Sequence, residues 1–238
     1  FLGVRVDIEA AHKLKQELVS EEKRCLEKVW KETGVDVQIW AARSIEKVFQ
    51  NQKLPYEKTA KTEAPSFTKN FLQNHSNELV KLIARAREIN KAHTTFIDSI
   101  LKHQVDGRIH AEINQLKGEF GGTVSGRLSM NNPNLQQVPS RNEIIGPKIR
   151  SLFLPENKEK WVSLDYSQQE PRLLVHYAKK HGLEGAETLI KFFHEGKDFH
   201  QVTADMAQIS RKEAKTIGLG LMYGMGIAKL AASLDISS

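Results

Sequence analysis

The chain opens on apolar positions at helical spacing. Ile8, Ala11, Leu14, Leu18, Leu26, Val29 and Trp30 recur over residues 8–33, and Gly34 follows where a C-cap glycine belongs, so one long helix is predicted. Ser44 is placed to cap a short helix through Phe49. Residues 53–66, KLPYEKTAKTEAPS, carry two prolines and several lysines and predict a loop. A second helical region covers 67–101, with a break near His75. It turns Leu79, Leu82, Ile83 and Ile89 inward and Lys81, Arg85, Arg87 and Lys91 outward.

After Gln104 the period changes. Asp106-Gly107 signals a turn, and RIHAEINQ alternates as a strand does. GGTVSGRLSMNNPNLQQVPSR predicts an ordered loop or hairpin. IRSLFLP and WVSLD predict two apolar, antiparallel neighbour strands joined by the polar turn PENKEK. From Pro171 the pattern is helical again, over 171–181, 185–194, 198–208 and 211–232. Helical, mixed and helical stretches in that order imply an α+β protein in three segregated regions, with no internal repeat.

Composition narrows this little. The 238 residues are 39% hydrophobic and 27% charged, as in a soluble globular protein. Thirty-five Lys+Arg against 29 Asp+Glu give +6, which is compatible with a polyanionic partner without requiring one. The single Cys25 excludes an internal disulfide and a cysteine-rich metal site, and fits a reducing compartment. No apolar run approaches the roughly 20 residues of a membrane span, and no signal-peptide pattern is present. A start at Phe1 rather than Met suggests a cut or processed chain.

Four stretches carry chemistry. In WVSLDYSQQEPRLL, Asp165 ends the predicted strand ahead of a helix whose first turn accepts Pro171. A carboxylate there either holds a hard cation through oxygen or caps the helix, and for Asp165 alone the cap is the simpler reading. In RKEAKTIGLGLMYGMG, Arg211, Lys215, Leu219 and Met222 share a helical stripe within about 80°, with Tyr223 beside it. Such a face can grip phosphates and take a base or sugar, but by itself it more simply reads as a core helix with a solvated basic end. Its glycines, spaced GxGxxxG with no strand before them, are not a dinucleotide fingerprint. In the third stretch Arg127, Asn134, Gln136, Gln137 and Arg141 offer donors and amides suited to minor-groove acceptors, or decorate a surface loop. In GKDFH, His200 is a cap-region residue or a packed ring until more is known. Arg87 and Lys91, four apart, suit phosphates or plain solvent.

Taken in order, these stretches resemble the family A DNA polymerases, the bacterial polymerase I type. DYSQQEPR is similar to that family's first palm motif, usually DYSQIELR. RKEAKTIGLGLMYG is similar to the fingers helix RRxAKxxNFGxxYG, and SGRLSMNNPNLQQVPSR to the minor-groove segment TGRLSSxxPNLQNIP. GKDFH matches the G-x-D-x-H of the fingers, and KTAKTEAPSFT resembles a thumb segment that contacts duplex. The resemblance spans Gly3 to Leu230.

The resemblance implies a mostly helical thumb (1–104), an antiparallel palm sheet (105–180) and the start of the fingers (181–238), a partial right hand. It implies template-directed addition of deoxynucleotides to a primer 3′-hydroxyl with two Mg2+ ions. Asp165 and the Tyr166 carbonyl would bind metal, and Lys215 joins Asp165 as catalytic. Gln168, Glu170, His200, Arg211, Lys215, Leu219 and Tyr223 would hold the nucleotide, Glu170 excluding a 2′-hydroxyl and Tyr223 guarding the templating position. Arg127, Asn134, Gln136 and Gln137 would follow the minor groove, and Arg87, Lys91 and Arg150 the backbone phosphates. Partners would be primer-template DNA and deoxynucleoside triphosphates, in bacterial or phage-infected host cytoplasm.

The sequence departs from the family pattern at Leu219 (usually Phe or Tyr), Gly218 (usually Asn), Lys212 (usually Arg), Gln169 and Pro171. The QEP form is similar to the phage branch. The His-Asp-Glu motif with the second catalytic aspartate is not among the 238 residues, so a C-terminal segment or a second polypeptide is expected to supply it. The competing class is a non-catalytic module that grips primer-template. A reading frame continuing to a His-Asp-Glu segment would separate the two.

Overall fold

The computed structural model describes residues 2–59, 62–119, 121–140 and 142–233, with backbone only at 232 and 233. The chain divides into two compact units, Phe1–Trp161 and Val162–Ser238.

The first unit is built on two long helices. Helix α1, Ile8–Thr33, starts where Asp7 Oδ1 accepts the Ala10 amide at 2.9 Å. It stops at Gly34, whose φ of 66° no β-carbon obstructs and whose N–H donates to the Trp30 carbonyl at 2.7 Å. Its buried face, Ala11, Leu14, Leu18, Cys25 and Val29, packs on helix α4, Glu78–Lys91, which buries Val80, Ile83, Ala86 and Ile89. Leu79 and Leu82, expected inward, are only half-buried. Between them lie α2, Ala42–Asn51, and α3, Lys69–Asn74, and the expected break falls at His75. Past α4 the helical path continues through a π-turn, Ala92–Ile97, into α5, Asp98–His103.

Ser44 does not cap α2. That helix begins after Ala41, and the Ser44 hydroxyl, already inside it, accepts the Gln38 amide at 2.9 Å. The 53–66 segment is not all loop: β2, Glu57–Lys58, pairs antiparallel with β3, Pro65–Ser66. Beneath it Phe49, fully buried, meets Phe67 at 4.8 Å and Phe71 at 5.9 Å between ring centroids.

A small antiparallel sheet follows in the order β4-β5-β1-β8. It joins β1 (Val4–Val6), β4 (Gln104–Val105), β5 (Arg108–Ile109) and β8 (Phe153–Leu154), with Asp106-Gly107 as the expected turn. A separate hairpin pairs β6, Glu112–Asn114, with β7, Ser129–Asn131, so RIHAEINQ is two strands rather than one.

The two-strand reading of IRSLFLP and WVSLD is overturned. Ile149 and Arg150 lie in helix α6, Ile145–Arg150, whose start is fixed by Asn142 Oδ1 accepting the Ile145 amide at 2.7 Å. Only Phe153–Leu154 is strand, and it pairs with β1. Trp161–Asp165 forms no strand, and Val162 and Leu164 are 75% and 91% exposed. An apolar run becomes a strand only where a neighbour accepts its ladder bonds, and none among the described residues does.

The second unit is helical: α7 (Gln169–Lys180), α8 (Ala186–His194), α9 (Phe199–Ala207), α10 (Arg211–Met222) and α11 (Ile227–Ser233). Helix α7 packs on α8, and α9 on α10. The single helix expected over 211–232 is two. Gly224 turns at φ 77°, and the Met225 amide returns to the Gly220 carbonyl at 2.8 Å, which ends α10. The class is α+β as expected, and among the described residues no helix is long and apolar enough to cross a membrane.

Candidate nucleotide site and nucleic-acid interface

In the second unit the site is assembled by polar ties between helix starts. Gln168 precedes α7 with φ 55°. Its Oε1 accepts the Phe199 amide at 2.6 Å, which fastens the start of α7 to the start of α9. Arg172 Nε donates to the Ser167 carbonyl at 2.9 Å while its guanidinium lies 4.7 Å from the Phe193 ring centroid.

Asp198 is the hub of the opposite wall. Its Oδ1 accepts the His200 and Gln201 amides at 2.8 and 3.0 Å, capping α9. Its Oδ2 accepts Arg211 Nη2 at 2.6 Å, and Arg211 holds this carboxyl below the usual carboxylate range. Arg211 opens α10 behind a capping box, with Glu213 N donating to Ser210 Oγ at 3.2 Å and Ser210 N to Glu213 Oε2 at 2.7 Å. The S-x-x-E spacing at Ser210–Glu213 announces that box, but the sequence reading passed over it. No sequence signal announced the Asp198–Arg211 pair, which joins positions 13 apart.

His200 is 7% exposed, and its Nδ1 has no partner among the described residues. Burial pushes its pKa down, Lys215 and Arg211 add to this, and Asp198 opposes it, so the neutral ring is favoured. Lys215 is exposed and Leu219 half-buried on the same helix. A β-carbon on Gly218 would meet the Phe199 and His200 rings at 3.7 and 3.8 Å, an ordinary contact, so glycine leaves space here rather than relieving a clash. At the end of α10 the Tyr223 hydroxyl donates to Glu170 Oε1 at 2.5 Å, joining two residues that the sequence reading had placed separately around the sugar and template.

Asp165 departs from the strand-end and helix-cap readings. It is exposed, ends no strand and caps no helix, because Gln168 occupies the cap position of α7. Asp165 and Tyr166 are both exposed, and the Asp165 carboxylate and the Tyr166 carbonyl are hard oxygen donors. They fit part of a magnesium site, which uses one or two carboxylates with water and substrate phosphates. Among the described residues no cluster of three acids, histidines or cysteines completes it.

In the first unit, Lys91, Gln136 and Gln137 line one groove of 350 Å³. Gln137 is exposed and its side-chain amide has no partner among the described residues, whereas both ends of the Gln136 amide are engaged, Oε1 by the Met130 amide and Nε2 by the Leu128 carbonyl, each at 3.1 Å. Asn134 Oδ1 accepts the Gln136 amide at 3.1 Å and so caps a 3-10 turn, Leu135–Gln137. Arg127 and Arg150 are exposed outside this groove, and Arg141 falls outside the described residues. Arg87 is not on an outer face. It is half-buried, donating to the Ile39 and Phe67 carbonyls at 2.6 and 2.7 Å.

Comparison with known proteins agrees over nearly the whole chain. A DNA-directed DNA polymerase of Pseudomonas phage M6 is 36% identical over 253 residues, covering 98% of this chain and 38% of that protein. The thermostable DNA polymerase I of Thermus thermophilus is 35% identical, with 98% and 28% covered. DNA polymerase DpoZ of Salmonella phage PMBT28 is 32% identical, with 99% and 41% covered. The chain therefore spans well under half the length of these relatives. Among solved structures, the polymerase domain of Pol1 from M. smegmatis, in complex with DNA primer-template and dNTP, is similar with a TM-score of 0.77 at 26% identity, covering 99% of this chain and 42% of that one. The fold is thus that of part of a polymerase domain, and with the family model matching residues 8–238 the chain belongs to DNA polymerase family A.

Proposed function

We propose that this chain supplies the thumb (1–104), the first part of the palm (105–180) and the N-terminal fingers (181–238) of a template-directed DNA polymerase that extends a primer 3′-hydroxyl. The observation that carries the reading is the Asp198 hub. One carboxylate fixes both the helix start bearing His200 and the guanidinium of Arg211, and Lys215 stands one turn further along α10.

Arg211, Lys215 and His200 hold the triphosphate, the cations offsetting its charge and the neutral imidazole adding a hydrogen bond. Lys215 also faces the negative charge that grows on the departing pyrophosphate. Glu170, held by Tyr223, lies under the sugar and crowds out a 2′-hydroxyl. Gln168 keeps the metal-binding loop registered on the fingers, and Leu219 packs on the incoming base. Asp165 and the Tyr166 carbonyl hold magnesium, with two ions in the complete site. Held there, magnesium would supply activation of the primer oxygen and charge stabilisation on the phosphates. The second carboxylate comes from a segment or polypeptide beyond these residues, since no His-Asp-Glu run occurs among them. Arg127, Asn134 and Gln137 follow the minor groove, with Gln136 bracing their loop, and Lys91 and Arg150 meet the phosphates, with Arg87 bracing the thumb beneath them. The setting is the cytoplasm of a bacterium or of a phage-infected host.

The test is nucleotide binding to a preformed primer-template complex. Arg211→Ala and Lys215→Ala should each weaken the templated deoxynucleotide at least ten-fold while primer-template affinity holds. Unchanged nucleotide affinity in both variants would leave only the competing reading, a module that grips DNA without catalysis.

A further inference from the structure

Trp40 belongs to none of the roles above, yet this exposed aromatic of the first unit is held by specific contacts. Its indole N–H donates to Asn90 Oδ1 at 2.9 Å. Asn90 Nδ2 in turn donates to Glu22 at 3.1 Å, and Glu22 meets His93 Nε2 at 2.6 Å. Arg87, locked by its two carbonyl acceptors, sits over one face of the ring, 5.4 Å from its centroid. The polar edge of the indole is therefore occupied, and Trp40 remains 61% exposed. What it can still offer a ligand is the face away from Arg87.

Trp40 lines a cavity of 280 Å³. Leu72 and Ala84 extend the apolar floor, and Lys69, Arg87 and Lys91 put three cations around a single carboxylate, Glu88. Glu88 is already bonded by Gln73 at 2.6 Å and lies 3.7 Å from Lys69. Flat and apolar below, cationic at the rim, the cavity suits an aromatic anion. It falls just under the roughly 300–1,000 Å³ of drug-sized sites, which fits one base with its sugar. Lys69, Glu88 and Lys91 also line the adjoining groove that holds Gln136 and Gln137.

We infer that this pocket takes one unpaired nucleotide of a DNA strand, its base stacked on Trp40 and its phosphates against Lys69 and Lys91. An unpaired base can leave the stack and give a face, whereas a base inside a duplex is stacked on both neighbours. The inference rests on the reading that this unit binds DNA, and it adds a single-strand subsite at the margin of the groove assigned to the duplex.

The experiment is photocrosslinking of the protein to primer-templates that carry one 5-iododeoxyuridine, either in a single-stranded overhang or within the paired region, with the crosslinked residue mapped by mass spectrometry. Primer-template binding is followed by anisotropy in the same samples. The unpaired probe should crosslink to Trp40 and the paired one should not. Trp40→Ala should weaken binding of an oligothymidylate roughly five-fold or more, with Trp40→Phe restoring most of it. Lys91→Gln should reduce the logarithmic salt slope by about one. Primer-template binding without a Trp40 crosslink would overturn the single-strand subsite alone. Failure to bind either DNA would remove the DNA-binding reading, and this inference with it.

Discussion

Asp198 offers the sharpest separation of two effects at one side chain. As a helix cap it accepts the His200 and Gln201 amides, and as an ion it meets Arg211 at 2.6 Å. Replacing a good N-cap by alanine costs roughly 0.5–2 kcal/mol, whereas asparagine caps about as well as aspartate. The ion pair is worth less than its length suggests, because the Arg211 and Asp198 side chains are 52% and 36% exposed, and such pairs contribute roughly 0.2–1 kcal/mol. Asp198→Ala should therefore cost roughly 1–3 kcal/mol, and Asp198→Asn no more than about 1 kcal/mol. Denaturant unfolding gives these values, and amide hydrogen exchange at His200 and Gln201 localises them, with faster exchange in the alanine variant than in the asparagine one. The pH dependence follows from Arg211 depressing the Asp198 carboxyl. A folded-state pKa below the unfolded one gives stabilisation that is complete at neutral pH and is lost as pH falls through the depressed value. The gap between wild type and Asp198→Asn should therefore close in acid. Equal losses for alanine and asparagine, or unchanged exchange at both amides, would refute the division between cap and ion pair.

Three further outcomes are expected. Phe49→Ala should destabilise the first unit by roughly 3–5 kcal/mol in urea, because the ring is fully buried among Tyr56, Phe67 and Phe71; a loss under about 1 kcal/mol would contradict that packing. Leu219→Phe should lower the dissociation constant of the incoming nucleotide by about five-fold or more, an aromatic-base stack being worth roughly 1–3 kcal/mol; transient kinetics identical to wild type would remove Leu219 from the base. Glu170→Ala should raise the ratio of ribonucleotide to deoxynucleotide insertion, and an unchanged ratio would free Glu170 from sugar selection.

Local signals were legible wherever one segment decides its own conformation. Periodicity and Gly34 gave α1 to its last residue, and the break at His75 and the turn at Asp106-Gly107 fell as the residues predicted. Reading failed where a distant partner decides. Trp161–Asp165 has strand composition but no neighbour to pair with, so Asp165 is not mounted on a strand as its sequence suggested. Gly224 splits a stretch whose apolar period runs on undisturbed. Arg87 looked like a solvated cation by its helical phase, but carbonyls from two other segments claim it. In the candidate site the residue types were legible as a set. The Asp198–Arg211 and Glu170–Tyr223 bonds that organise them were not, because nothing in sequence spacing marks contacts 13 and 53 residues apart.

The central claim is that Asp165 is one of the carboxylates on which primer extension depends. The direct measurement is single-nucleotide primer extension with magnesium by this chain completed with the segment or polypeptide that carries the second carboxylate, with Asp165 intact or changed to Ala, beside primer-template affinity for both. The account predicts that extension by the protein vanishes in the variant while DNA affinity is unchanged. Extension at the same rate in both would contradict it.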